Sequence, residues 1–443
     1  MATAGEYGPG YDERHKDLRT GEGPWQQPVA LTWLPSSQKL AVALRESGEL
    51  ILVDPSVGEL GATDASIGAV KQRLSLGGKL TALAAVPDTG LCLVTDDAQH
   101  AVHLCQIQGE KAQQISELKV SPYPCNVIVG AKQDGEILAY VASLWSRQLS
   151  VLKVETNPPS LTLVKKIDLP FAPRAMTEFV EDKQLVVGDA FSGQLVTISL
   201  PSGELGPTRN FLAHNLRGFA VSADRQKLVI THQMLNDAAQ TTRTDVHWGL
   251  VMSNDLRWLK KEQVFKPGNS QDLYFGSHMQ PLGEPGRGAA DPAGITVTDQ
   301  GTVVVALTGV NEIAVGKEDD LALYRIGVGK LPRSVALSGD QKQAYVANFG
   351  DDTITCVSLE SREVVRTIGL GPKPKFTQVQ QGEVLFNDAK LSHDSWMTCA
   401  SCHVDGHTSN QPNDNLSDRS FAAAKRVLSL LGVKDTLAAS LER

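Results

Sequence analysis

The sequence predicts a mainly β protein, a seven-bladed β-propeller followed by a small, mostly α segment. Three observations carry that reading. A unit of apolar strand, polar turn and second strand recurs through most of the 443 residues. Its period of about 40 to 50 residues is that of a four-stranded propeller blade. The alternation then stops after Gly371.

Residues 1–26 open as MATAGEYGPGYDERHKDLRTGEG and read as a disordered lead-in. They lack the basic, then apolar, then small-residue order of a secretory signal. The propeller is expected over residues 27–371. Its clearest unit is YVANFGDDTITCVSL from Tyr345, matched without gaps by YVASLWSRQLSVLKV from Tyr140, VVGDAFSGQLVTISL from Val186 and LVTDDAQHAVHLCQI from Leu93. Each is a hairpin, two period-two runs joined by a turn rich in Gly, Asp, Asn or Ser. A further apolar segment and turn precede each hairpin. Units start near Pro28, Lys79, Pro124, Pro173, Arg217, Pro292 and Pro332. Seven four-stranded blades can close a ring and leave no long free edge. In the LVTDDAQHAV hairpin a turn at Ala98 and Gln99 sets Cys92 nearly opposite Cys105, which reads as a pair of buried thiols, with a cross-strand disulfide as the alternative. The fifth unit is irregular. It opens its hairpin with a long polar loop and is followed by the Gly/Pro-rich KPGNSQDLYFGSHMQPLGEPGRGAADPAG. Both stretches are candidate docking surfaces, since long loops in a compact repeat are commonly functional.

Composition excludes several classes of function. The net charge is -8 and Lys and Arg are scattered singly, so no basic stripe exists to neutralise phosphates, and nucleic acid is not an expected partner. No run of about 18 apolar residues is present to form a transmembrane segment.

Residues 372–443 differ in kind. VQQGEVLFND reads as a short helix, and beyond it lies MTCASCHVDGHT. Cys399, Cys402 and His403 form C-x-x-C-H, the attachment pattern of c-type haem. Two thiols one helical turn apart can add to the two vinyl groups of a porphyrin. The next residue then sets an imidazole under the iron, which makes His403 the axial metal ligand. With six Cys and ten His in the chain, the motif would arise by chance roughly 0.002 times. A zinc site would draw on both thiols with His403 and His407, but a His adjacent to the second Cys reaches the same tetrahedral ion poorly. A redox dithiol wants a strand-to-helix setting that is absent. A plain disulfide is the third rival. His407, one turn beyond His403, would share its face if the helix continued, and Met397 is too near in sequence to reach the opposite side of the iron. A sixth ligand would come from elsewhere, and His232, Met234, His247, His278 and Met279 of the fifth unit and its insertion are the available donors.

Two resemblances accompany these residues. YVANFGDDTITCVSLESREVVRTIGLG resembles the YVTN-type propeller repeat of bacterial surface and periplasmic proteins, which implies fold more firmly than activity. GEVLFNDAKLSHDSWMTCASCHVDGHTSN is similar to the first haem segment of the di-haem cytochrome c peroxidase and MauG-like family. That likeness implies one covalent haem c on Cys399 and Cys402 with His403 as axial ligand, and packing around them by Phe386 and Leu391. A complete domain of that family carries a second C-x-x-C-H, so the cytochrome c-like segment is expected to be incomplete and the helix-prone tail to be truncated.

The expected function is therefore that of a c-type haem electron-transfer protein, with the propeller as scaffold for a redox partner protein. A fragment of a di-haem peroxidase-like oxidoreductase, and a propeller binding protein with a vestigial haem segment, are the alternatives. The resemblance also implies a periplasmic or cell-surface location, reached with a leader that this sequence does not contain. No nucleophile elbow or compact His and carboxylate cluster is legible for other catalysis.

Overall fold

The computed structural model describes residues 19, 21–57, 69–133, 135–413 and 424–432. Seven four-stranded antiparallel sheets form a ring, each built from one contiguous stretch of chain. Blade 1 begins at Pro28–Leu34, blade 2 at Leu80–Ala85, blade 3 at Pro124–Val129 and blade 4 at Pro173–Phe179. Blades 5, 6 and 7 begin at His214–Val221, Pro292–Val297 and Pro332–Leu337. These first strands are innermost and each packs on the first strand of the next blade, with blade 7 returning to blade 1. The expected mainly β, seven-bladed fold is thus present.

Strand composition explains the layering. Second strands such as Lys39–Leu44 (KLAVAL) and Leu91–Asp96 (LCLVTD) are buried along almost their whole length, because both faces of a central strand meet neighbouring blades. Outer strands such as Pro159–Asp168 alternate between exposed and half-buried residues, as one face meets water. The core is consequently a series of inter-blade clusters. One joins Leu50, Leu52 and Ala41 of blade 1 to Leu80, Cys92 and Val94 of blade 2. Cys92 and Cys105 stand directly opposite in register, both buried as free thiols.

Ring closure draws on the stretch read as lead-in. Residues 1–18 and 20 lie outside the described residues, but the expectation of disorder through residue 26 fails for Arg19 and residues 21–26. Glu22–Gly23 pairs in parallel with Lys373–Pro374. Trp25 is buried, donates its indole N–H to the Phe349 carbonyl at 2.6 Å, and meets the rings of Phe349 and Phe376 edge-on. The Asp352 carboxylate accepts the backbone N–H groups of Gln26 and Gln27, each at 2.9 Å. A Gly-rich sequence hid a single aromatic anchor that seals blade 1 against blade 7.

Blade 5 also departs from the simple repeat. Its third strand ends at Lys260, and the fourth, His278–Pro281, follows two short helices, Lys261–Phe265 and Ser270–Tyr274. The Gly/Pro-rich stretch is therefore not wholly an insertion after the blade. It contains the blade's own outer strand, paired through Trp258 and His278.

After Gly369, the end of the last blade strand, the chain turns helical. Gln378–Phe386 is an α-helix capped by Thr377 and Gln380, followed by short helical turns at Ala389–Leu391 and His393–Ser395. The helix-prone run past residue 432 lies outside the described residues. Among the described residues no helix is long and apolar enough to cross a membrane.

Candidate functional site

Strand direction alternates within each blade, so the starts of all inner strands and the turns between second and third strands share one face of the ring. The segment after blade 7 lies across that face. Phe376 and Val384 pack on Trp25, Leu331 and Phe349 at the seam of blades 7 and 1. Trp396 is then a peg. It is 4% exposed, its indole N–H reaches the His247 carbonyl at 3.2 Å, and its ring occupies the space a Cβ on Gly249 or Gly283 would need. Asn254 of blade 5 donates to the Trp396 carbonyl at 2.9 Å.

The motif follows directly. Cys399–Cys402 is one helical turn, with Thr398 as its N-cap in a reciprocal capping box with Ser401. Both capping hydroxyls also donate to one carboxylate, Asp291 at the entrance of blade 6, Ser401 at 2.6 Å and Thr398 beside it. Burial raises the Asp291 carboxyl above its ordinary range, against the pull of these hydroxyls. The buried His214 at the start of blade 5 accompanies it, its Nε2 lying 3.1 Å from the Ser401 carbonyl. Burial lowers the His214 pKa to about 4, so the ring is neutral and donates. Two guanidiniums complete the seat, since Arg174 and Arg217 both pair with Asp405. Burial, then repulsion from Arg174 and Arg333, pushes Arg217 well below its usual value, against the opposing charge of Asp291.

Within this seat the three motif residues are arranged unequally. Cys399 is exposed and Cys402 half-buried against Leu235, Val251, Met252 and Met397. Burial, with the Asp291 charge next, pushes the Cys402 thiol up to about 12. His403 ends the helix, and its Nδ1 lies 2.9 Å from the Leu428 carbonyl. An Nδ1–H held on a carbonyl leaves Nε2 as the free, basic nitrogen, the second-partner arrangement of a metal-ligating His. The chain 424–432 returns alongside through the pairing of Pro412–Asn413 with Lys425–Arg426. It leaves Leu428 76% and Leu431 54% exposed beside the motif. One exposed and one half-buried thiol a helical turn apart, an imidazole held through Nδ1 and uncovered apolar side chains fit a haem.

The other candidates are distributed differently. The helix does not continue to His407. Asp405 and Gly406 take left-handed backbone angles, φ 52° and 71°, and His407 turns away to lie edge-on to Trp145 and Phe191, bonded to Ser429 at 2.7 Å. His232 is buried in blade 5 next to Phe211, and burial lowers its pKa to about 3. Met234 and Met279 both face Arg257, and His278 stacks on Trp258. Of the proposed sixth-ligand donors, His247 alone is brought to the helical segment, where it meets Asp394. Phe386 ends the first helix, and Leu391 is 67% exposed. Sequence reasoning missed Asp291, His214, Arg174 and Arg217. Asp291, directly before the Pro that opens blade 6, was the one with a positional signal.

The match to known families falls on this segment. Residues 377–430 match the family model described as di-haem cytochrome c peroxidase. The chain is thus a seven-bladed β-propeller protein whose last described segment is similar to the di-haem cytochrome c peroxidase family, a haem-related oxidoreductase family. Among solved structures it is similar to hydrazine synthase from Kuenenia stuttgartiensis, at 20% identity and TM-score 0.59 over 76% of this chain and 97% of that one. A streptogramin B lyase aligns at 13% identity and TM-score 0.51 over 74% and 93% of the two chains. Virginiamycin B lyase from Staphylococcus aureus aligns at 12% and 0.51 over 73% and 92%. At these identities the likeness concerns the fold alone. Comparison with curated protein sequences gave no match.

Proposed function

We propose that this chain is a c-type haem protein that transfers electrons, with one haem held by thioether bonds to Cys399 and Cys402 and ligated by His403. The observation that carries the reading is the His403 ring, anchored through Nδ1 on the Leu428 carbonyl directly after the helical turn that holds the exposed Cys399 and half-buried Cys402. When bound, the haem supplies a one-electron couple. The chain's own residues supply position. Thr398 and Ser401 fix the helical turn, Asp291 and His214 pin it to the ring, and Asp405 closes the arginine pair beneath it. One C-x-x-C-H motif suffices for electron transfer, and the broad ring face around the segment offers a redox partner protein a rigid platform. Thioether attachment further supports an extracytoplasmic, periplasmic or cell-surface location.

The test is expression with a c-type maturation system, followed by denaturing haem stain, pyridine haemochrome spectrum and intact mass. One covalent haem is expected in the wild type, and none in Cys399→Ala/Cys402→Ala. His403→Ala should keep the covalent haem but shift its Soret band and reduction potential. Stoichiometric zinc with no Soret absorbance in the matured wild type would overturn the reading.

A further inference from the structure

A second cluster of ligand-type side chains lies at the same junction, outside the motif. His247 ends the short helix Arg243–His247 in the long loop of blade 5, which Thr242 caps. His393 and Asp394 belong to the turn before the peg Trp396. His247 Nδ1 is 2.7 Å from Asp394 Oδ2, and His393 Nε2 is 3.3 Å from the same oxygen. Among the described residues this is the one group of three such side chains whose donor atoms all fall within 4.8 Å of one another.

We propose that His247, His393 and Asp394 form a binding site for a divalent first-row transition ion that clamps the haem-attachment segment to the blade 5 loop. The donor chemistry is two imidazole nitrogens and one carboxylate. That set suits Zn²⁺ or Fe²⁺, offers no sulfur to select soft ions, and has too few oxygens for Ca²⁺. Two donors at the usual 2.0 to 2.1 Å from a tetrahedral ion stand roughly 3.3 Å from each other, so the His393–Asp394 pair needs almost no adjustment and the His247–Asp394 pair needs to open by less than an ångström. The two imidazoles, with ring centroids 6.3 Å apart and donor nitrogens within 4.8 Å, close on the ion from opposite elements.

The backbone supports convergence from both sides. Gly288 donates its N–H to the Asp394 carbonyl at 2.6 Å, and Ala290 donates to the Ser395 carbonyl at 3.3 Å. On the other side the His247 carbonyl accepts from Gly286 at 3.2 Å and from the Trp396 indole. Asp394 and Ser395 are consecutive non-glycine residues with φ of 56° and 59°, a conformation held by surroundings rather than by preference. The imidazoles of His247 and His393 are 42% and 34% exposed, so one side of the site opens to water. Three protein ligands with an open position is the pattern of an exchangeable or reactive ion.

The site is independent of the thiols, and its test is kept independent too. Full-length chain carrying Cys399→Ser and Cys402→Ser, stripped with chelator, is titrated with Co²⁺ while its visible d–d absorption is followed, and zinc displacement is then measured. The matured, haem-loaded chain is analysed in parallel by metal content. One ion per chain with nitrogen and oxygen ligation is expected. His247→Ala and His393→Ala, on different elements, should each weaken binding by more than the roughly 10- to 100-fold that loss of a merely supporting residue costs. Circular dichroism checks that each variant keeps its β-structure, and either variant alone suffices for the comparison. Absence of saturable Co²⁺ binding, or binding indifferent to both substitutions, would overturn the site and leave a hydrogen-bonded His–Asp–His latch. Failure of haem attachment would leave this result untouched.

Discussion

Asp291→Asn isolates what holds the Cys399–Cys402 turn on the propeller. The substitution preserves shape, and Asn tolerates the left-handed backbone found at this position, φ 56°. It removes the charge and turns one of two acceptor oxygens into a donor. Wild-type Asp291 accepts hydroxyls from both Thr398 and Ser401, all three residues being buried. A hydrogen bond to a charged group contributes about 1.5 to 3 kcal/mol, and one of the two is lost. Burial already disfavours the ionised carboxylate, so relief of that cost offsets part of the loss. The net effect on docking is about 1 to 2 kcal/mol, roughly 5- to 30-fold in the ratio of undocked to docked segment. The capping box between Thr398 and Ser401 is internal to the turn and survives. Hydrogen exchange read by mass spectrometry reports the change as faster exchange in peptides covering 396–409, with the central strand Leu91–Asp96 of blade 2 unaltered. A double-mutant cycle with Ser401→Ala should show the two changes to be non-additive. Exchange at 396–409 within about twofold of wild type, or equal acceleration in every blade, would refute the reasoning.

Acid should destabilise the neighbouring seat of His214 on the Ser401 carbonyl. The folded His214 pKa, about 4, lies below the ordinary value of 6.5, so the unfolded chain binds the extra proton first. Stability is therefore full above pH 6.5 and declines as pH falls toward 4, by about 3 kcal/mol from this group. Melting temperatures at pH 7 and 4.5 should diverge less in His214→Gln, and an unchanged difference would exclude His214 as the source. Trp25→Ala removes the aromatic anchor of ring closure and should cost about 3 to 5 kcal/mol. Urea unfolding measures it, and a loss under about 1 kcal/mol would show that blades 7 and 1 close without it.

Much of this protein is written in neighbouring residues. Period-two alternation and turn residues fixed the blades, because a strand's faces are decided by side chains two positions apart. The C-x-x-C-H spacing likewise marked Cys399, Cys402 and His403, since one helical turn is a local distance. Where local order broke, sequence reading lost the thread. Blade 5 keeps its third and fourth strands apart by helices, so His278–Pro281 looked like part of a loop. Trp25 sat in a polar, Gly-rich stretch with no repeat to announce it. The seat of the motif was decided by tertiary structure alone. Asp291 lies 107 and 110 residues from the hydroxyls it receives, and His214 lies 187 from the carbonyl it faces. His247 meets Asp394 across 147 residues. No periodicity links such positions. Each became a partner only when ring closure brought the starts of seven inner strands to one face and the last segment, pegged by Trp396, was laid across it.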